Sequence, residues 1–254
     1  MEKMSPRLDS IHVGITYASG HLYFDKCGQT LVDIENECEG WLTTSATPHT
    51  GVVENPDKLF NLNFSNSKFN FHALKAHNIN IQEIAKEIAV LWKIVQANLG
   101  LDEFLRIGCR LHYLLATDSI DNADKLVRKA EYNVRFPNSL SSVGYKVKTQ
   151  RLIVVFQNDD FEYRVEFGSV TRNEAINPES LQKGDPRLLS KKQDQFRIAQ
   201  LKRFKEYVAD PMYAVNLDVD CAQIKPESNL VEEFMLKQSE NIKNDFLPLL
   251  ENLS

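Results

Sequence analysis

The sequence predicts an α+β fold of two related β-α-β-β-α halves. Its antiparallel sheets are expected to be covered by helices on one face, with an amphipathic helix at the C-terminus. Three observations lead there. Runs that alternate apolar and polar residues are interleaved with segments whose apolar residues recur every three or four positions. One alternating run places phenylalanines on one side and Asn, Lys and His on the other, the pattern of a sheet covered on one face only. The order of elements in residues 8–100 also recurs in residues 101–254, as in one compact unit built by internal duplication.

Each element has a local cause. In residues 9–18, Ile11, Val13, Ile15 and Tyr17 alternate with His12, Gly14, Thr16 and Ala18, which predicts a strand. In residues 22–42, Leu31, Ile34, Cys38 and Trp41 are spaced as one face of a helix. The Thr-, Ser-, Pro- and Gly-containing stretch from Thr43 to about Asp57 is expected to be a loop. Residues 59–74 read as a hairpin, with Phe60, Leu62, Phe64, Phe69 and Phe71 on one face. In residues 81–99, Ile84, Ile88, Leu91, Trp92 and Val95 form a helical stripe that Gly100 ends. The second half opens with a strand over 104–115 and a helix over 118–133 capped near an Asp or Ser. A loop at 137–142 leads to strands within 144–168, turning at Asn158-Asp159-Asp160. A strand at 214–224 and a helix at 229–250 follow, with Pro248 set to fray or kink the helix end. The first strands of the halves align as Ile11-His12-Val13-Gly14 against Leu105-Arg106-Ile107-Gly108.

Composition limits the function classes. The 254 residues suffice for a real core, and 43% hydrophobic with 26% charged residues is ordinary for a globular protein. A net charge of −5 disfavours general nucleic-acid binding, whose affinity comes mainly from neutralising phosphates. Cys27, Cys38, Cys109 and Cys221 form no CxxC pair, and the N-terminal residues show no apolar export segment. No stretch approaches the roughly 18 apolar residues of a membrane span. The expectation is a cytoplasmic protein with reduced cysteines, no membrane, no cofactor and no metal.

The candidate residues lie mainly on strands. Arg106, Arg110 and His112 share one strand face by period two, where guanidinium forks suit a phosphate or carboxylate. The bland alternative is a solvated face whose arginines pair with acids. Asp218 and Asp220, in line with Asn216, suit an ion pair with Arg106 or Arg110 better than a metal, because no further ligands adjoin them. Cys109 and His112 fall on opposite strand faces, against nucleophilic chemistry. No HExxH, GxSxG, GxGxxG or phosphate-loop pattern occurs. Lys191, Lys192, Arg197, Lys202, Arg203 and Lys205 form the basic side of an amphipathic segment that suits an anionic partner or nucleic acid.

Gly108 and Arg110 in the strand after the central helix, the Asp218-x-Asp220 strand and the final helix together give a resemblance. The chain resembles a sporadically distributed family of uncharacterised bacterial proteins of about this length, mainly over its second half. Where that pattern has a histidine in the last helix, this chain has Lys237, Gln238 and Ser239. The resemblance implies a class of protein rather than a reaction, with a place in defence or mobile elements. The leading expectation is a non-enzymatic binding or assembly protein with a protein partner or a second copy of itself. The alternatives are a small-anion sensor or enzyme using the arginine face, and nucleic-acid binding through residues 187–205.

Overall fold

The computed structural model describes residues 5–18, 20–130, 151–171, 211–226 and 230–253. The first half contains β1 (Arg7–Tyr17), α1 (Tyr23–Glu37), β2 (Leu42–Ala46), β3 (Gly51–Asn55), β4 (Phe60–Phe64), β5 (Lys68–Leu74) and α2 (Ile81–Leu99). The second contains β6 (Phe104–Thr117), α3 (Ile120–Lys129), β7 (Arg151–Gln157), β8 (Phe161–Thr171), β9 (Tyr213–Ile224), α4 (Val231–Asp245) and a short α5 (Pro248–Glu251). The nine strands among the described residues form one antiparallel sheet in the order β2-β3-β4-β5-β1-β6-β9-β8-β7.

Period two decides which face is buried. Ile11, Val13, Ile15 and Tyr17 of β1 point with Phe69 and Phe71 of β5 and with Ile107, Cys109 and Leu111 of β6 into one core cluster. The helices supply the other wall of that core. Ile84, Ile88, Leu91 and Val95 of α2 and Met235 and Ile242 of α4 are buried in it. Phe69, Trp92 and Phe104 meet edge to face with ring centroids 5.2 and 5.7 Å apart, close to the geometry that aromatic quadrupoles favour. Helix ends follow their sequence signals. The Asn80 side chain accepts from the Gln82 N–H at 2.9 Å, and Gly100 adopts φ 62°, the left-handed conformation of a helix stop. Ser119 caps α3, and Pro248, lacking an N–H, opens α5 after the chain breaks from α4 at Phe246.

The fold departs from the sequence expectation in four places. The predicted loop over 43–57 contains β2 and β3, whose Thr- and Ser-containing residues pair in register across a bulge between Thr43 and Ser45. Gly51 there serves close packing: a Cβ would lie 2.8 Å from the Phe64 ring. The first half is therefore β-α-β-β-β-β-α and the second, among the described residues, β-α-β-β-β-α. The separate sheets merge into one through the β1–β6 pair. Finally, α1 ends at Glu37, so Cys38 and Trp41 pack from the segment beyond it.

The sheet order has a two-fold pattern. Outward from β1 come β5, β4, β3 and β2; outward from β6 come β9, β8 and β7. Gly14 pairs directly with Gly108 at the centre, which relates Ile11 to Leu105 and His12 to Arg106, the same alignment the sequences share.

The core makes a direct stability prediction. Phe71→Ala should cost about 3–5 kcal/mol, whereas Val90→Ala on the exposed side of α2 should stay within about 0.5 kcal/mol. Urea unfolding followed by fluorescence measures both, and comparable losses would contradict the one-sided core.

Candidate functional site

The sheet face away from the described helices is polar because the alternate residues of the same strands point there. One row crosses eight strands in register as Glu54, Asn61, His72, His12, Arg110, Asp220, Arg164 and Val155. The row beside it runs Asn63, Asn70, Gly14, Gly108 and Ala222. At the junction of the halves the second row therefore carries two glycines facing each other. A cleft of about 390 Å³ opens over them, walled by Asn61, Asn63, Asn70, His12 and His72 on one side and by Arg106, Arg110 and Asp220 on the other.

The charged wall is held by ion pairs. Arg110 grips the Asp218 carboxylate with both Nε and Nη2, the Nε bond measuring 2.7 Å. Arg106 Nη2 lies 3.6 Å from Asp220, a looser pair with both side chains about one-third exposed. The Arg106 guanidinium folds back across Gly108. A Cβ on that glycine would lie 2.7, 3.2 and 3.3 Å from Nη1, Cζ and Nη2, so the group occupies the space a side chain there would need. Burial raises the Asp220 pKa, while Arg106 and Arg110 nearby act in the opposite sense.

On the opposite wall, His12 and His72 stack with centroids 3.6 Å apart and planes 19° from parallel. Burial is the main cause that lowers His12 to about 4, with Arg110 adding to it. Burial and then the neighbouring His12 lower His72 to about 3. Both rings are therefore neutral at pH 7. The Nε2 of His72 is buried without a hydrogen-bond partner. Beside it, Asn70 Nδ2 donates to Asn63 Oδ1 at 3.1 Å, and Asn61 Nδ2 donates to Glu54 at 3.2 Å.

The structure brings Arg106, Arg110, His112, Asp218 and Asp220 onto one face of adjacent strands, with Arg110 opposite Asp220 and His112 opposite Asp218. The expected cross-sheet ion pairs form, on diagonals rather than between directly opposed residues. His112 turns away from the cleft toward the buried Asp9, 3.6 Å away. Cys109 is fully buried on the helix side, where burial holds its thiol far above the ordinary value. All four cysteines are free and buried. No group of three potential metal ligands occurs among the described residues. Lys191, Lys192, Arg197, Lys202, Arg203 and Lys205 lie outside the described residues. Sequence reasoning missed His72 and the three asparagines as site residues. Their alternation with phenylalanines placed them on the polar face, but nothing local shows that His72 meets His12.

A larger hollow of about 760 Å³ lies on the helix side, between α2 and α4, where Trp92 and Leu236 lie among Lys93, Lys237, Glu233 and Glu240. Its charges are mixed along both helices, whereas the cleft over the glycines gathers unlike polar groups at one point, so the latter is the better candidate site.

Comparison with known proteins gives little. No family model matches the chain, and no curated protein matches it. Among solved structures, Methanococcus jannaschii TBP is similar over 94% of this chain and 99% of that chain, at 12% identity and a TM-score of 0.24. A likeness at that score carries no argument about this protein.

The stacked histidines predict a pH dependence. Unfolded histidines take up protons near pH 6.5, while the folded pair resists until about 4 and about 3. Between those values the unfolded state binds more protons, so stability is full above about pH 6.5 and falls on acidification. The raised Asp220 and Glu54 carboxyls act in the opposite sense, from the ordinary carboxylate range upward. Urea unfolding should show a loss of roughly 4 kcal/mol between pH 7 and pH 5, about 2 from each histidine, largely removed in His12→Asn/His72→Asn. An equal loss in that variant would place the dependence elsewhere.

Proposed function

We propose that this is a non-enzymatic binding protein that holds a small polar ligand on the open face of its sheet, over Gly14 and Gly108. The observation that supports this is the cleft itself. It has a floor of two facing glycines, one of them crossed by the Arg106 guanidinium, and walls of convergent amides, imidazoles and charges. Acid–base catalysis works best with groups titrating near the working pH, and His12 and His72 are held well below it. Nucleic-acid binding through this face is disfavoured by its charge balance. Arg106, Arg110, Arg151 and Arg164 face Asp218, Asp220 and Glu166 at pairing distance, which leaves little positive charge for phosphates. We further infer that the halves descend from one repeated unit, supported by the two-fold strand order and by Gly14 opposite Gly108.

Mass spectrometry of the protein purified gently from its native host, under native and denaturing conditions, tests the binding reading. The expected result is a small-molecule adduct that denaturation releases. Gly14→Leu should abolish it without loss of fold, because a Cβ there meets only Asn70 Oδ1 at 3.4 Å while the longer side chain fills the floor. No adduct, or an adduct retained in Gly14→Leu, would overturn this reading.

A second reading, assembly with a protein partner, has one observation in its favour. The outermost strand β7 exposes Ile153, Val155 and Phe156 by about half each, and no described strand pairs with its outer edge. If β7 assembles, Val155→Lys should convert an oligomer into a monomer in analytical ultracentrifugation. A wild-type monomer throughout the micromolar range would rule out self-assembly through this edge.

A further inference from the structure

The cleft over Gly14 and Gly108 has walls of different chemistry, and the difference bears on what would fit it. Arg106 presents a partly exposed guanidinium plane, brought over Gly108 by the absence of a side chain there. Such planes stack on the faces of flat unsaturated rings, as they do on nucleobases. Asp220, loosely paired with that same guanidinium, supplies two acceptor oxygens at the edge of the plane. Across the floor stand the amide groups of Asn61, Asn63 and Asn70, which can meet ring donors and acceptors.

An anion suits this arrangement poorly. The two cleft arginines are matched by Asp218 and Asp220, and Arg110 is committed to Asp218 through both branches of its fork. A phosphate or carboxylate would have to displace one acid and then lie beside it. A neutral flat ring needs no such displacement. It gains the guanidinium face and offers N–H groups to the Asp220 carboxylate.

We propose that the cleft binds an uncharged, flat, nitrogen-rich heterocycle of the guanine type, stacked on Arg106 with adjacent N–H groups donated to Asp220. This inference rests on the reading of the cleft as the binding site and adds the class of ligand. A carboxylate reads two neighbouring N–H donors in a fork, and guanine carries such a pair, whereas adenine carries an amino group beside a ring acceptor. Arg106 thus supplies affinity for a flat ring, and Asp220 supplies the choice among rings. A volume of about 390 Å³ is near the lower end of small-ligand pockets, which suits a base or nucleoside better than a large cofactor.

Titration calorimetry with the full chain tests this, with guanosine, adenosine and inorganic phosphate as probes. Guanosine should bind at least tenfold tighter than adenosine, and phosphate should not compete with it. Three variants separate the causes. Asp220→Asn should remove the preference for guanosine. Arg106→Lys keeps the charge and loses the plane, so it should weaken guanosine at least tenfold. Gly108→Ala should do the same by lifting the guanidinium, with an unchanged unfolding midpoint, because its new methyl meets only the movable end of a side chain. Phosphate binding that survives Arg106→Lys would overturn the heterocycle assignment and leave the cleft as an anion site. No binding of any probe, with an adduct still lost in Gly14→Leu, would overturn the ligand class alone. No binding and no adduct would remove both readings.

Discussion

The pairing of β1 with β6 is the contact on which the rest of the sheet depends. These strands open the two halves, and every other strand is added outward from one of them. Ten Cα pairs join them across the centre, from Arg7 opposite Leu114 to Tyr17 opposite Phe104. Because side chains alternate with period two, one register at this seam fixes which residues of both halves face the helices. A slip by one residue would turn Ile11, Val13 and Ile15 out toward solvent and bury His12 and Arg110, at a cost no neighbouring contact offsets. The helices α2 and α4 follow the last described strand of their halves and pack against each other over this seam. The core is thus shared between the halves, and neither closes it alone.

The same seam produces the chemistry of the open face. A buried arginine row would be costly, and a fully solvated one would be unremarkable. This face lies between those limits. Arg110 is nearly half exposed and held by Asp218 through both branches of its fork, while Arg106, somewhat less exposed, keeps a looser hold on Asp220. The histidines meet the partial burial in another way. They give up the proton and stack as neutral rings, which leaves the His72 nitrogen without a partner. A polar atom desolvated and unanswered costs stability.

Much of this was legible in the sequence, for identifiable reasons. Strong alternation around Ile11, Phe60 and Arg106 gave the strands and their faces, and Gly100, an Asp or Ser near 118 and Pro248 marked helix ends through local chemistry that needs no tertiary context. The pairing of Arg110 with an acid of the Asp218-x-Asp220 strand followed from charge and period two. What stayed hidden depends on contacts distant in sequence. β2 and β3 carry Thr, Ser and Gly, which alone resemble a loop, and they become strands because Val53 and the close approach at Gly51 pack against the Phe64 hairpin. His12 meets His72 only because β1 inserts between β5 and β6, a topology no local pattern declares.

The two-fold strand order, finally, makes the asymmetry of the cleft informative. The register that places Gly14 on Gly108 relates His12 to Arg106 and Thr16 to Arg110. It likewise relates Asn70 to Ala222, His72 to Ile224 and Lys68 to Asp220, since each pair lies opposite related residues of the central strands. The backbone positions correspond, while the side chains are of different chemistry in every one of these pairs. Only the two central glycines are the same. A symmetric scaffold thus supports a floor common to both halves and walls belonging to one half each, neutral imidazoles and amides on one side and an ion pair on the other. A ligand lying across the seam meets a different wall at each end, so it can bind in only one orientation. Such a directional site arises from side-chain differences alone, with no change in the path of the chain.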